Sequence, residues 1–307
     1  MTAASDRVLS HDELRAFQTR SDVRGAARLA VHIACLMAAG WWVAIASGWM
    51  ILPAVFALGL VQVALFAPAH ETMHQTAFAS RRANAVVGWL AAAPSLLNLQ
   101  FYTAFHLAHH RHTQIPGLDP ELFAPPPGSL GGYIARILGW PYWSLRVLVV
   151  FDSWRGDMSR YPWVTAAAAP SIIRSVRAMT LVLAGGAIGS ALLFGWATPL
   201  LFWIGPQLLG QPPLRAYLLA EHTGCTHDRN GLTNTRTTLT IWPVRLLMWN
   251  MPYHSEHHLY PSIPFHRLPD AHRQIRAKLG YIQDGYIRWN IGFITSLLQR
   301  RSVPSAQ

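Results

Sequence analysis

Eight histidines of this chain fall into three short stretches, HETMH at residues 70–74, HLAHH at 106–110 and HSEHH at 254–258. His70 and His74 are four residues apart, as are His106 and His110, and His254 and His258; His109 and His257 stand three positions after the first histidine of their stretches. On a helix such separations put side chains on one face, one turn apart. Neutral imidazole is a common protein ligand for iron, copper, zinc and nickel. A structural zinc ion takes about four ligands and a catalytic one about three, so a single zinc ion would leave about half of these histidines without a role, and two metal ions suit them better. HETMH also fits the HExxH pattern of zinc proteases, with Glu71 in the general-base position. That reading leaves the other two stretches unused.

The elements that must position these residues are apolar. Of 307 residues, 51% are hydrophobic and 13% charged, an apolar balance for a soluble protein. Residues 26–47 would make a helix of about 33 Å, enough to cross a bilayer core. Residues 49–69 follow almost without a loop, and 176–196 with 198–220 repeat the arrangement, the last interrupted by Pro206, Pro212 and Pro213. The segments predict an all-α integral membrane protein with four transmembrane helices in two hairpins. His70 and His74 directly follow the second span, His222 directly follows the fourth, and the other two stretches lie between and after the hairpins. All therefore share one side of the membrane. The turns near Ser47–Gly48 and Trp196–Thr198 carry no basic residue, whereas the 25 Lys and Arg crowd the other side, which makes that side cytoplasmic. Both termini and residues 70–175 then face the cytoplasm. Within that stretch, 85–99 and 140–156 are apolar but too short to span, as suits helices lying at the interface of a cytoplasmic cap that carries the histidines.

The net charge of +11 is scattered among Trp and Leu beside the spans, a pattern for anionic lipid headgroups or an acidic protein partner and not for nucleic acid. Cys35 falls in a span and Cys225 on the cytoplasmic side, so no disulfide framework or CxxC motif arises. Residues 1–25 are polar, read as a cytoplasmic N-terminal segment and not as a cleavable signal peptide, and 300–307 read as a disordered tail. His11, His227, His266 and His272 read as surface residues, His32 as a polar residue packed within a span, and His112 either as exposed or as a donor behind the ligands.

With HETMH, HLAHH and HSEHH in this order, the chain resembles the membrane-bound fatty acid desaturase and hydroxylase superfamily, from about residue 26 to 270. The resemblance implies a four-helix topology, a desaturase-like domain over 26–299, and a di-iron centre that activates O2 to oxidise an unactivated C–H bond. It implies as ligands His70, His74, His106, His109, His110, His254, His257 and His258. A ninth histidine near the end of the fourth span is common in the family, and His222 in AEHTGC holds that position. Asp119 in GLDPE resembles the acidic residue that orients ligands from behind. Where animal acyl-CoA enzymes carry an asparagine one turn before the ninth histidine, this chain has Leu218, and Glu221 is the candidate substitute. The HxxxH spacing of the first stretch is closer to the bacterial acyl-lipid type, which implies a bacterial cytoplasmic membrane.

The resemblance implies desaturation of an acyl chain of a lipid; hydroxylation or another oxygenation of a lipid, hydrocarbon or small substrate is the alternative. A membrane metal carrier is disfavoured, because its ligands belong near the midplane of the spans. The sequence has no HPGG-type haem segment, no GxGxxG fingerprint and no iron–sulfur cysteine pattern. Electrons are therefore expected from a separate ferredoxin or cytochrome-type donor with its reductase.

Overall fold

The computed structural model of the chain describes residues 8–301, which are mostly helical, with one two-stranded parallel sheet. Three helices are long and apolar enough to cross a membrane, Asp22–Ile45, Gly48–Met73 and Ala169–Phe194. Two bent pairs would raise the number to five if each counted as one span: Arg81–Ser95 with Leu99–His112, bent by 94°, and Leu130–Ile137 with Trp140–Arg155, bent by 49°. The expected fourth span is a continuous helical run through Ala197–Pro199, a π-helical turn at Leu200–Ile204, and Gly205–His222. It does not join the three, because Gln207, Gln211, Arg215 and Glu221 lower its apolarity. Most of the expected tail lies outside the described residues; Arg300 and Arg301 continue the last helix, Tyr286–Arg301.

The first two long helices reverse direction over Ala46–Gly48, where Gly48 takes the left-handed φ of +57° that glycine adopts without strain. The second then crosses Gly205–His222 at very short range. A Cβ on Gly59 would sit 2.4 Å from the Pro206 carbonyl oxygen, and one on Gly210 would sit 2.4 Å from that of Gly59. Small residues let helix backbones approach in this way. Pro206 has no N–H to give the Phe202 carbonyl one turn back, and the Gln62 side chain donates to that oxygen instead, at 2.6 Å. At Pro206 a neighbouring side chain thus takes up the carbonyl that the proline leaves free, and the helix runs on through Pro212 and Pro213.

Each histidine stretch is flanked by left-handed backbone at non-glycine residues. Gln75 (φ 60°) follows the first, Gln114 (φ 61°) follows the second, and Trp249 and Asn250 (φ 48° and 59°) precede the third. Such conformations cost about 1–2 kcal/mol per residue and persist only where surrounding contacts impose them. Here they do: Gln114 N–H donates to Asp119 at 2.8 Å, Asn250 Nδ2 donates to the Phe265 carbonyl at 3.0 Å, and Trp249 is buried among Phe78, Tyr217, Met251 and Phe265. The helix Leu99–His112 starts where Asn98 accepts from Phe101 N–H at 3.0 Å, just after Leu96 turns the chain with φ 51°. Thr237–Leu239 pairs in parallel with Ile282–Asp284 and lies beneath the helix of the third stretch, His254–Leu259.

Candidate metal centre

Nine histidines converge at the cytoplasmic-expected ends of these helices, and they do so in two sets. In the first, His70, His74, His106, His110 and His257 each bring one ring nitrogen within 4.8 Å of all the others; in the second, His109, His222 and His258 do the same. His254 joins the second set through its Nε2, 3.1 Å from Nε2 of His222. Two turns of one helix serve both sets, since His106 and His110 face one and His109 the other.

The nitrogen spacing fits metal binding. Nε2 of His106 lies 2.9 Å from that of His70 and 3.0 Å from that of His110, and Nε2 of His110 lies 3.1 Å from that of His257. A metal–imidazole bond of about 2.1 Å puts neighbouring ligands at right angles about 3 Å apart. Nε2 of His74, His109 and His258 is buried with no hydrogen-bond partner, although such an atom normally has one. Burial, reinforced by the neighbouring histidines, holds His254, His257 and His258 well below the usual imidazole range. They are therefore neutral at neutral pH and keep the lone pair that a metal needs.

Groups behind the rings fix which nitrogen carries the proton. His109 donates its Nδ1–H to Asp119 at 2.9 Å, because a carboxylate only accepts, and this leaves Nε2 free. Asp119 is completely buried and also accepts from the backbone of Gln114 and Glu121; against the burial that would raise it, the bond and charge of His109 first and these backbone bonds second hold its carboxyl below the ordinary range. His222 donates from Nδ1 to the Asn234 carbonyl at 3.2 Å. Glu221, named from sequence, places Oε1 3.5 Å from Nδ1 of His254. His112, also named, is half-buried and joins neither set.

Glu71 does not face the histidine nitrogens: it accepts from Phe265 N–H at 2.7 Å, tying the first stretch to the segment after the third. The HExxH general-base role is therefore not available to it. Burial raises the Cys225 thiol to about 11, and the residue joins neither set. His11 and His227 are exposed and His266 half-buried, while His32 is buried and donates to the Val61 carbonyl at 2.9 Å.

His272 corrects the sequence reading. It is 7% exposed and not a surface residue; its Nδ1 bonds Glu256, whose other oxygen accepts from Thr237. Glu256, fully buried inside HSEHH, thereby anchors the third stretch to the sheet and to the helix Leu268–Ile275. Glu121 was also missed, with Oε1 3.9 Å from Nε2 of His109. It stands two residues after Asp119, the one local sign of it in the sequence.

A cavity of about 330 Å³ opens against the histidines, reaching His70, His106, His222 and His254. Phe66, Leu97, Phe105, Leu122 and Trp163 line much of it. The site thus joins two sets of imidazole nitrogens to a mostly apolar chamber.

The fatty acid desaturase family model matches residues 47–290. The beta-carotene ketolase of a Paracoccus strain is 30% identical over 258 residues, 80% of this chain and 88% of that protein. The zeaxanthin 4-ketolase of Chlamydomonas reinhardtii is 28% identical, over 75% of this chain and 46% of that protein. The human sphingolipid delta(4)-desaturase/C4-monooxygenase is 27% identical, over 81% of this chain and 73% of that protein. The chain belongs to the fatty acid desaturase family.

Proposed function

We propose that the chain is a multi-pass membrane oxidoreductase that uses O2 and electrons from a separate protein to desaturate an acyl chain of a lipid at a di-iron centre. The observation that supports this is the two sets of converging nitrogens, five histidines in one and four in the other, beside an apolar chamber. His70, His74, His106, His110 and His257 would hold one iron, and His109, His222, His254 and His258 the other. When bound, the irons would supply the oxidant for an unactivated C–H bond. The chain's own residues do the rest: Asp119 and the Asn234 carbonyl set the rings of His109 and His222, Glu221 stands behind His254, and the chamber walls hold an apolar chain in place and keep water out. Positioning of the reacting carbons is what such walls contribute to rate.

In this reading the helical run Ala197–His222 is the fourth span, paired with Ala169–Phe194, and both termini face the cytoplasm of a bacterium, with the histidines in a cytoplasmic cap. Membrane lipids surround the spans. A ferredoxin or cytochrome-type donor, fed by its reductase, would meet the basic face carrying Arg245, Arg267, Arg273 and Arg276; such steering weakens with ionic strength.

A second reading is oxygenation of a lipid or hydrocarbon, favoured by the likeness to a ketolase of which the chain covers 88%. Both begin with removal of hydrogen from the substrate. Expressing cells supplied with deuterated palmitate and stearate under oxygen-18 gas separate them by mass spectrometry of total fatty acids. Desaturation removes two deuteriums and adds no label, whereas oxygenation adds one labelled oxygen. An unchanged acyl pool, with iron-loaded protein and reductase present, would overturn the acyl reading.

A further inference from the structure

The chamber also carries three arginines that make no contact ion pair with a carboxylate among the described residues. Arg136, Arg146 and Arg215 reach its wall from three different helices. Arg146 is only 8% exposed. The guanidiniums of Arg146 and Arg215 lie over the ring of Tyr142, 4.8 and 4.2 Å from its centre, and Tyr142 is fixed in turn by donating to the Ser95 carbonyl. Nε of both arginines is buried with no hydrogen-bond partner. Arg136 is partly satisfied, donating to the carbonyls of Ala124 and Pro125.

Among the described residues, arginine pairs with a carboxylate only at Arg160–Asp152, Arg267–Asp270 and Arg273–Asp270. The two carboxylates on the chamber wall, Glu121 and Glu221, stand at its histidine end, 3.9 Å from His109 and 3.5 Å from His254. A buried charge without a partner is costly to hold, and a guanidinium is shaped to take two oxygens of a carboxylate or phosphate at once. The stacking on Tyr142 keeps both forks in place.

We propose that the chamber binds an amphiphile with an anionic head group, a carboxylate or a phosphate, held by Arg146 and Arg215 with Arg136 adding charge, and with its apolar chain directed along the wall toward the histidines. This rests on the reading of the chamber as the substrate site. It sets the substrate class apart from neutral hydrocarbons, which give buried guanidiniums nothing to bond.

The test is equilibrium binding of tritiated palmitate, hexadecyl phosphate and hexadecanol to the iron-loaded full-length protein in a neutral detergent. At least one anionic ligand should bind about tenfold or more tightly than hexadecanol, and the tighter of the two names the head group. Arg146→Gln and Arg215→Gln, checked for retained iron, should each weaken that ligand by about tenfold and leave hexadecanol unchanged. Hexadecanol binding as tightly as both anions would overturn the proposal, as would unchanged anion affinity in the double variant. If the variants fail to fold, the head-group preference of the native protein alone decides. Selective anion binding with no oxidised acyl chain in the labelling experiment overturns the acyl reading and leaves this site; oxidation without head-group preference does the reverse.

Discussion

Asp119 and Glu256 are both completely buried carboxylates, and they hold the histidine sets by different means. Asp119 bonds a ring that faces the second set, so Asp119→Asn should upset the tautomer of His109 and lower metal affinity by about 10–100-fold. Iron retained under graded chelator would show it; retention equal to that of the native protein would remove the orienting role. Glu256 bonds no ring of either set, only His272 and Thr237. His272→Ala should therefore act first on stability, by about 1–3 kcal/mol, because it leaves a buried carboxylate with one partner fewer. A lowered thermal midpoint with iron still bound is the expected outcome. The histidine stretches could be read from sequence because their spacing is the period of one helix. The importance of His272 could not, since its partner lies sixteen residues away and a lone histidine carries no local sign of it.

At the scale of elements, the crossing of Gly48–Met73 with Gly205–His222 brings His70 and His74 toward His222, and it depends on Gly59 and Gly210. Gly210→Val would drive a side chain into the Gly59 carbonyl and force the helices apart. Overpacking of this kind costs about 1–3 kcal/mol, and more where backbone must move. Folded yield and iron content should both fall, whereas Gly185→Ala, which meets nothing within 4 Å, should leave both unchanged. Equal behaviour of the two variants would show that the crossing does not position the histidines. Hydropathy reveals three of these helices directly. It misses the contact between them, because two glycines far apart in sequence acquire meaning only when the helices meet. The run Ala197–His222 is obscured for a related reason: Gln207 bonds Ser95 and Arg215 lines the chamber, and each lowers the apolar signal.

At the scale of the molecule, topology and metal content carry the account. With Cys35 and Cys225 replaced, cysteines introduced at Gly48 and Thr198 should react with an impermeant reagent from outside the cell, and one at Ser129 only after the membrane is opened. The opposite pattern would put the histidines out of reach of cytoplasmic electron donors. The central claim is that nine histidines form two metal sites, and iron per chain in the purified protein measures it most directly. Native protein should hold about two irons, while His257→Ala, in the first set, and His258→Ala, in the second, should each lose one of them together with activity, because a buried ligand position has no replacement. Two irons retained in both variants, with turnover intact, would contradict the account.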